Sequence, residues 1–182
     1  MYTGKKVRLR AYTSNDLHDV LRHVNDYGSV RLSASGIILP STPDDQMRWI
    51  QNQSAMTRGE YQFAIETLGG QFVGGCGFSR VDWKNRTAQV GILIGDAAMR
   101  GRGFGSDAVR VLCYVGFAEM NLNKLGLSMI ADNEAAERCY AACGFLPEGR
   151  LRQEVFREDT YHDFIVMGLL RDEWRRDEGM YH

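Results

Sequence analysis

The chain has 182 residues, of which 44% are apolar and 25% charged, as expected for one globular domain with a buried core. Its formal net charge is -1, so no overall basic field is present and nucleic acid is not expected as a partner. No apolar run approaches the roughly 20 residues of a membrane helix, and no apolar signal segment follows the basic N-terminus. We therefore expect a cytoplasmic protein without a membrane partner.

Hydrophobic periodicity predicts strands where apolar residues alternate and helices where they recur every three or four residues. The predicted elements, in chain order, are a strand at 7–11, a helix at 13–24, an irregular segment with short helical turns at 25–41, a helix at 42–57, a hairpin of strands at 61–66 and 72–81, a strand at 87–94, a helix with apolar residues from 108 to 118, a strand at 125–130, a helix at 133–143, and strands at 150–156 and 161–169. Helix starts rest on capping patterns such as Thr42 with a first-turn proline and acids, and the hairpin rests on a Gly-Gly turn.

No repeat or linker interrupts this series. We therefore predict a single α/β domain of the α+β type over residues 1–182. Its mixed, mostly antiparallel central sheet has about seven strands, flanked by about four helices. Residues 171–182 are expected to form a loose, charged C-terminal tail.

The four cysteines contain no Cys-x-x-Cys pair, and a chain of this length needs no disulfide framework. We expect reduced thiols in the core. Cys139 and Cys143 are four residues apart on a predicted helix, but no second pair of ligands with suitable spacing accompanies them. No metal site is therefore expected.

The most distinctive segment, residues 100–105, reads Arg-Gly-Arg-Gly-Phe-Gly and lies between a predicted strand and a predicted helix. Glycines allow the backbone to approach an anion, and the amides and dipole of a helix N-terminus favour negative charge. Arg100 and Arg102 add positive charge. The segment therefore predicts a phosphate-binding loop.

Three known kinds of glycine-rich segment do not fit. A P-loop needs a lysine followed by serine or threonine at the helix start, whereas Gly105 is followed by Ser106 and Asp107. A dinucleotide fingerprint needs a third glycine where this chain has Ser106. An arginine-glycine RNA tract would be repeated and disordered, but this one is single and flanked by periodic elements.

The remaining pattern, Arg/Gln-x-x-Gly-x-Gly/Ala at a helix start, resembles the acetyl-coenzyme A loop of the GNAT N-acetyltransferases. Downstream, Asn133-x-x-Ala136-x-x-x-Tyr140-x-x-x-Gly144-Phe145 is similar to the second signature of that superfamily. The chain ending is similar to the subgroup of the ribosomal-protein N-terminal acetyltransferases and spermidine acetyltransferases.

The resemblance implies acetyl-CoA as co-substrate and assigns residues to it. The pantetheine arm would lie along the strand at residues 89–94, with a backbone N–H near Leu93 polarising the acetyl oxygen. Tyr140 would be the general acid for the departing thiolate, although a tyrosine in a helix can also simply pack in the core. Asn133 would hold a coenzyme amide, cap its helix, or do both. The implied coenzyme-binding residues are Ile92, Leu93, Ile94, Arg100, Gly101, Arg102, Gly103, Phe104, Gly105, Ser106, Asn133 and Arg138.

The general base and the acceptor stay open. Gln89 stands where relatives often have glutamate and cannot accept a proton, while Asp82 and Glu66 are candidates by strand location alone. We expect direct acetyl transfer, in a ternary complex, to a primary amine of a small molecule or of a protein N-terminus. A polyamine acetyltransferase is an alternative, weakened because residues 25–41 offer only Asp26 as a carboxylate. A non-catalytic acetyl-CoA-binding regulator is another, and edge strands allow a homodimer.

Overall fold

A computed structural model describes residues 2–33, 36–53 and 60–175. Its eight strands are β1 Tyr2–Thr3, β2 Val7–Arg10, β3 Tyr61–Thr67, β4 Phe72–Asp82, β5 Thr87–Ile94, β6 Lys124–Ile130, β7 Leu146–Arg157 and β8 Thr160–Leu170. They form one sheet in the order β1-β2-β3-β4-β5-β6-β8-β7. Every neighbouring pair is antiparallel except β5 and β6, which run parallel.

The α-helices of the described chain are α1 Leu17–Val24, α2 Tyr27–Val30, α3 Pro43–Gln53, α4 Phe104–Tyr114 and α5 Glu134–Ala141. A π-helical turn, Val115–Glu119, continues α4, and single 3-10 turns precede α1 and the loop before α4. Within the described residues, no helix combines the length and hydropathy that crossing a membrane requires.

The predicted α/β domain with a mixed, mostly antiparallel sheet is confirmed. The eighth strand is the two-residue β1, which has too few residues to show a period, and the fifth helix is the four-residue α2 inside the segment expected to be irregular. β7 begins at Leu146, four residues before the predicted start at 150, because its first residues are exposed on an edge and do not alternate. The predicted end of the second helix at 54–57 lies outside the described residues.

One face of the sheet packs against α4. Ala108, Val111 and Leu112 on this helix are at most 1% exposed and lie in the same core cluster as Val7 and Leu9 of β2. Their spacing places all three on one side of the helix, as the sequence predicted. This packing holds the N-terminus of α4, and with it the glycine-rich loop, against the sheet.

A buried carboxylate fixes that helix end more directly. Asp107, in the first turn of α4, is 4% exposed and accepts three backbone hydrogen bonds from the segment that enters β2. The donors are the amides of Lys5 at 3.1 Å, Lys6 at 2.7 Å and Val7 at 3.0 Å. Gly4 is required beside them, since a Cβ there would lie 2.5 Å from the Asp107 carboxylate. The chain start and the glycine-rich loop are therefore held together.

The expectation of a loose C-terminal tail is wrong for its first residues. Trp174 contacts Phe117, with ring centroids 5.3 Å apart and the ring planes tilted by 34°, and packs against the core. Arg171 donates to the carbonyl of Leu122 at 2.9 Å and to that of Phe117. An indole buries apolar area that outweighs the surrounding charges, so this part docks. Residues 176–182 lie outside the described chain.

Candidate active site

The two parallel strands at the centre of the sheet separate partway along their length. β5 and β6 pair only from Thr87 opposite Lys124 to Gln89 opposite Gly126. Both strands continue, β5 to Ile94 and β6 to Ile130, with no further pairing between them among the described residues. A wedge-shaped opening therefore lies beside the second half of β5, with backbone groups available for an extended ligand.

Strand alternation decides which backbone groups face this opening. The amide of Gly95 donates to Val73 of β4 at 3.1 Å, and the carbonyl of Leu93 lies against Gly74 of β4. The backbone N–H and C=O groups of the odd-numbered residues at this end of β5 therefore point toward β4. Those of Ile92 and Ile94 point into the opening. The N–H of Leu93 itself therefore points toward β4, and the neighbouring N–H groups that point into the opening are those of Ile92 and Ile94.

The glycine-rich loop lies at the end of this opening and has the expected form. Gly101 and Gly103 have φ of +71° and +83°, a region that favours glycine. The first bond inside α4 joins the amide of Asp107 to the carbonyl of Gly103 at 3.1 Å, so the preceding amides have no acceptor within the helix. These free amides belong to Phe104, Gly105 and Ser106. They form a suitable site for a pyrophosphate.

The two arginines of the loop have different roles. The guanidinium of Arg100 turns away from the loop amides and donates to the carbonyls of Ile94 and Gly95, each at 3.0 Å, and to Ser29 Oγ at 2.8 Å. These bonds fasten the end of β5 to α2. Arg100 is thus engaged in holding the strand, with its Nε and Nη2 already bonded to protein oxygens.

Arg102 is exposed and lies over the ring of Phe104, with its guanidinium carbon 5.1 Å from the ring centroid. A second cation, Lys6, lies beside it, because its Nζ donates to the carbonyl of Arg102 at 2.8 Å. Sequence reasoning missed Lys6, which is 96 residues away along the chain and belongs to no motif. Together the two cations place positive charge at the free amides of α4.

Tyr140 lies on α5 and is 6% exposed, with its ring edge-on to Phe145 at a centroid distance of 5.7 Å. Burial raises the pKa of Tyr140 well above that of a free phenol, and the thiols of Cys139 and Cys76 raise it further. Its hydroxyl makes no hydrogen bond within the described part of the chain. The ring is therefore core, as the alternative interpretation held, while the hydroxyl is protonated and free to donate.

The other two coenzyme candidates on α5 already have partners. Asn133 caps the helix, accepting from the amide of Ala136 at 3.1 Å, and its side-chain amide donates to the carbonyl of Leu32 at 3.2 Å. Arg138 forms an exposed ion pair with Glu134 at 3.1 Å. Asn133 therefore joins α5 to the segment after α2, and Arg138 is a solvated surface residue.

Two half-buried thiols lie beneath the glycine-rich loop. Ser106 Oγ donates to Cys139 Sγ at 3.4 Å, and Cys143 Sγ donates to the carbonyl of Ser106 at 3.4 Å. The Cys143 thiol, which can give its one proton to Cys139 instead of the carbonyl, and the Ser106 hydroxyl lower the pKa of Cys139. All four cysteines are free, and no group of metal-binding side chains is found in residues 2–33, 36–53 and 60–175. Ser106 can therefore offer a ligand its backbone amide, but its hydroxyl is engaged.

A cavity of about 490 Å³ lies on the face of the sheet opposite α4, between α1, α3 and strands β4 and β5. Its floor is made of glycines. A Cβ on Gly75 would lie 1.9 Å from the Tyr12 hydroxyl, and one on Gly77 would lie 2.5 Å from Gln62 Oε1. A Cβ on Gly91 would meet nothing within 4 Å. The first two glycines thus make room for side chains that line the cavity, and Gly91 leaves β5 open to it.

The walls of this cavity are largely aromatic. Tyr12 and Trp49 pack edge to face with centroids 4.9 Å apart, and His23 stacks on Phe72 at 5.7 Å with 18° between the rings. The His23 ring lies directly on Gly95, where a Cβ would come within 2.0 Å of it. This cavity could not be foreseen from the sequence, because its walls come from separate elements and each residue alone is typical of a core.

The carboxylates proposed as bases have other partners. Glu66 pairs with Arg8 at 2.9 Å and Arg10 at 2.8 Å. Asp82 accepts from the backbone and side chain of Asn85, and the backbone bond lowers the pKa of Asp82. Gln89 stands at the last pair of β5 and β6, where the opening begins. The structure thus brings no free carboxylate of these to the site.

Comparison with known proteins agrees with this arrangement. The family model of the Acetyltransferase (GNAT) domain matches residues 6–146. Two relatives are the SPbeta prophage-derived uncharacterized N-acetyltransferase YokL of Bacillus subtilis, 23% identical over 98% of this chain and 97% of that protein, and the spermidine N(1)-acetyltransferase of Vibrio cholerae, 25% identical over 71% and 75%.

A ribosomal-protein-serine acetyltransferase of Escherichia coli is 28% identical over 56% of each chain. Among solved structures, the spermidine N-acetyltransferase of Vibrio cholerae in complex with CoA and spermine superposes with a TM-score of 0.83 at 23% identity, covering 92% of this chain and 96% of that one. The chain therefore belongs to the GNAT acetyltransferase family and is an acyltransferase that takes its acetyl group from acetyl-CoA.

Proposed function

We propose that the protein transfers the acetyl group directly to a primary amine of a small molecule or protein N-terminus, in a ternary complex. The observation that carries this proposal is the position of β5. One edge of this strand borders the opening toward β6, and its Gly91 position borders the cavity. A thioester lying along the opening and an amine in the cavity would meet at the same strand, with no carrier between them.

The opening supplies the groups that a donor needs. The N–H groups of Ile92 and Ile94 can bind an extended amide chain or polarise a carbonyl oxygen, and the free amides of α4 with Arg102 and Lys6 can bind its pyrophosphate. Gly101 and Gly103 allow the close approach. These residues fit coenzyme A better than any other phosphate ligand considered for this loop.

In the reaction, the amine lone pair attacks the thioester carbonyl carbon, a C–N bond forms and the C–S bond breaks. Tyr140 stabilises the departing thiolate by donating a hydrogen bond. Because burial raises the pKa of Tyr140, full transfer of its proton to a thiolate is uphill, and its main contribution is this hydrogen bond. The thiolate takes its proton from the nitrogen that has been acylated.

A covalent acyl-enzyme is the competing route. Cys76 is the cysteine that lines the cavity in the described chain, but burial raises the pKa of its thiol strongly, so the nucleophilic thiolate is scarce. Direct attack is therefore favoured over a cysteine intermediate. The non-catalytic alternative is not favoured, since the relatives named above are N-acetyltransferases.

An acceptor screen with acetyl-CoA, read by thiol release and mass spectrometry of the products, tests the proposal. Tyr140→Phe should lower kcat by about 10²-fold while leaving the Kd of CoA unchanged, because one hydrogen bond to the transition state is lost. Tyr161→Phe is the matched control, as Tyr161 is 61% exposed on β8. Failure to bind CoA in calorimetry would rule out the function.

We also propose that residues 1–182 form one domain, because the first strand, β1, and the last strand, β8, belong to the same sheet.

We further propose that the protein forms a homodimer along β7. β7 is an edge strand with exposed apolar residues, Leu146 at 54%, Leu151 at 46% and Phe156 at 57%. Such edges are usually covered. Light scattering should give a dimer that Leu151→Arg converts to a monomer, and a monomeric wild type would contradict it.

A further inference from the structure

The cavity beside β5 has no charged side chain in its described lining. None of the residues that line it in residues 2–33, 36–53 and 60–175 is Asp, Glu, Lys or Arg. Its titratable members are Tyr12, His23 and Cys76. Burial raises the pKa of Tyr12 and of Cys76, and burial and then Arg22 lower the pKa of His23, so all three are uncharged at neutral pH.

The charges behind these walls are compensated by one another. Behind Tyr12, Arg10 pairs with Asp16 at 2.7 Å and with Glu66 at 2.8 Å. Beside His23, Arg22 pairs with Asp19 at 3.0 Å and with Asp96 at 3.8 Å. Arg100 donates to Ser29 at 2.8 Å. In the stretches 34–35 and 54–59, outside the described residues, the sequence holds one charged residue, Arg58. The carboxylates of these pairs are neutralised by arginines, and no carboxylate is among the described residues that line the cavity.

Neutral walls disfavour a protonated amine. An ammonium that enters loses water and gains no opposite charge, and such burial lowers the pKa of an amine by up to about 3–5 units. A polyamine carries several ammonium groups and would meet this cost at each of them. The amides and hydroxyls that line the cavity, such as Gln62 and Ser79, cannot take a proton from it at neutral pH.

The cavity does offer neutral hydrogen-bonding groups. The Tyr12 hydroxyl has no hydrogen bond within the described chain, and His23 Nε2, in a residue 3% exposed, is likewise without a partner there. Gln62 adds a side-chain amide above the glycine floor. Between them stand the faces and edges of Trp49 and Phe72. This combination suits a flat or apolar body with one or two neutral polar groups.

We propose that the cavity accepts an uncharged, weakly basic primary amine carried on a compact flat or apolar body, and that it excludes polyamines. The inference rests on the proposed function. It also removes the need for a general base on the protein. A free amine that attacks the thioester has a proton to lose only after the C–N bond has formed, and that proton goes to the departing thiolate. The products are the amide and the thiol.

The test uses two amines of nearly equal shape, 2-phenylethylamine and its 2,2-difluoro analogue, which is much less basic. Steady-state thiol release with acetyl-CoA is measured from pH 6 to pH 10, with spermidine as the third acceptor. We expect kcat/KM to rise about tenfold per pH unit below the solution pKa of each amine and then level off. At pH 7 the difluoro analogue should therefore be at least about tenfold better, and spermidine about 10²-fold worse than either.

Gln62→Glu places a carboxylate on the cavity wall with little change of shape. It should raise kcat/KM for 2-phenylethylamine and spermidine at pH 7 by about tenfold and reduce the advantage of the difluoro analogue. Gln71→Glu makes the same chemical change in the exposed turn between β3 and β4 and should leave all three unchanged.

Several outcomes would overturn the inference and leave the transferase function intact. These are turnover of spermidine within tenfold of 2-phenylethylamine, or one pH profile shared by all amines, which would mean that a protein group takes the proton. If no amine releases thiol, binding of 2-phenylethylamine in the cavity is measured instead by the quenching of Trp49 fluorescence, with Trp49→Phe as the control. Quenching that grows with pH supports the inference, and its absence at every pH refutes it. Loss of CoA binding would instead refute the proposed function.

Discussion

Replacing Asp107 with alanine should destabilise the protein and weaken coenzyme binding together. The carboxylate holds three backbone amides, of which that of Val7 is fully buried and those of Lys5 and Lys6 are partly exposed. A buried donor left without a partner costs about 1–3 kcal/mol, and donors that water can reach cost less, about 0.5–1 kcal/mol each. The sum is about 3 kcal/mol, or about 6–12 °C in Tm for a domain of this size.

The Asp107→Asn variant should remove one of these three bonds and keep the other two. Its single carbonyl oxygen can keep the two bonds of Oδ2, to Lys6 and Val7, while the bond to Lys5 is lost, so we expect a cost of about 1 kcal/mol. Urea unfolding gives the stability, and calorimetry gives the Kd of CoA. Coenzyme affinity should be lower in Asp107→Asn than in the wild type and lowest in Asp107→Ala, because the same bonds hold the α4 N-terminus. Two results would refute this reasoning. One is an Asp107→Ala variant as stable as the wild type, and the other is an Asp107→Asn variant as unstable as Asp107→Ala.

Three further predictions follow from single positions. Gly103→Ala must adopt φ of +83°, which costs about 1–2 kcal/mol, and should raise the Kd of CoA severalfold in calorimetry; unchanged binding would contradict the proposed cradle. Gly91→Leu should lower kcat/KM for the acceptor by about tenfold or more without weakening CoA binding, since a Cβ there points into open space. The hydrogen bond to Asp132 raises the pKa of His162 in the folded protein. The stability that this bond gives the fold is therefore fully present below the pKa of the unfolded chain, about 6.5, and is lost as the pH rises through the folded-state pKa. Urea midpoints of wild type and His162→Gln should accordingly converge above neutral pH, and a gap that widens would show the opposite sign.

Patterns carried by neighbouring residues were predictable from the sequence. The strand at 87–94 was found with its observed bounds because it is rich in apolar and β-branched residues and polar residues flank it on both sides. The glycine-rich segment was expected at a helix start, and α4 does begin at Phe104, directly after Gly103. Burial, capping and turn formation each depend on a few adjacent side chains, so a local pattern reports them directly.

The contacts that complete the site left no such local sign. Lys6 reaches the loop from 96 residues away, and the bonds of Asp107 span 100 to 102 residues. Arg100 looked like a phosphate ligand because its motif is local, whereas its partner Ser29 is distant. The neutral lining of the cavity arises where three helices and three strands meet, and no window of sequence contains it.

The bond between Arg100 and Ser29 joins the two substrates thermodynamically. One end of this arginine lies at the exit of β5 toward the glycine-rich loop, and the other holds α2, whose Val30 lines the cavity. Asn133 makes a parallel connection from α5 to Leu32. If donor binding moves the loop, these bonds would carry the movement to the wall of the proposed acceptor cavity. We expect such coupling to be reciprocal, so that each substrate changes the dissociation constant of the other by the same factor.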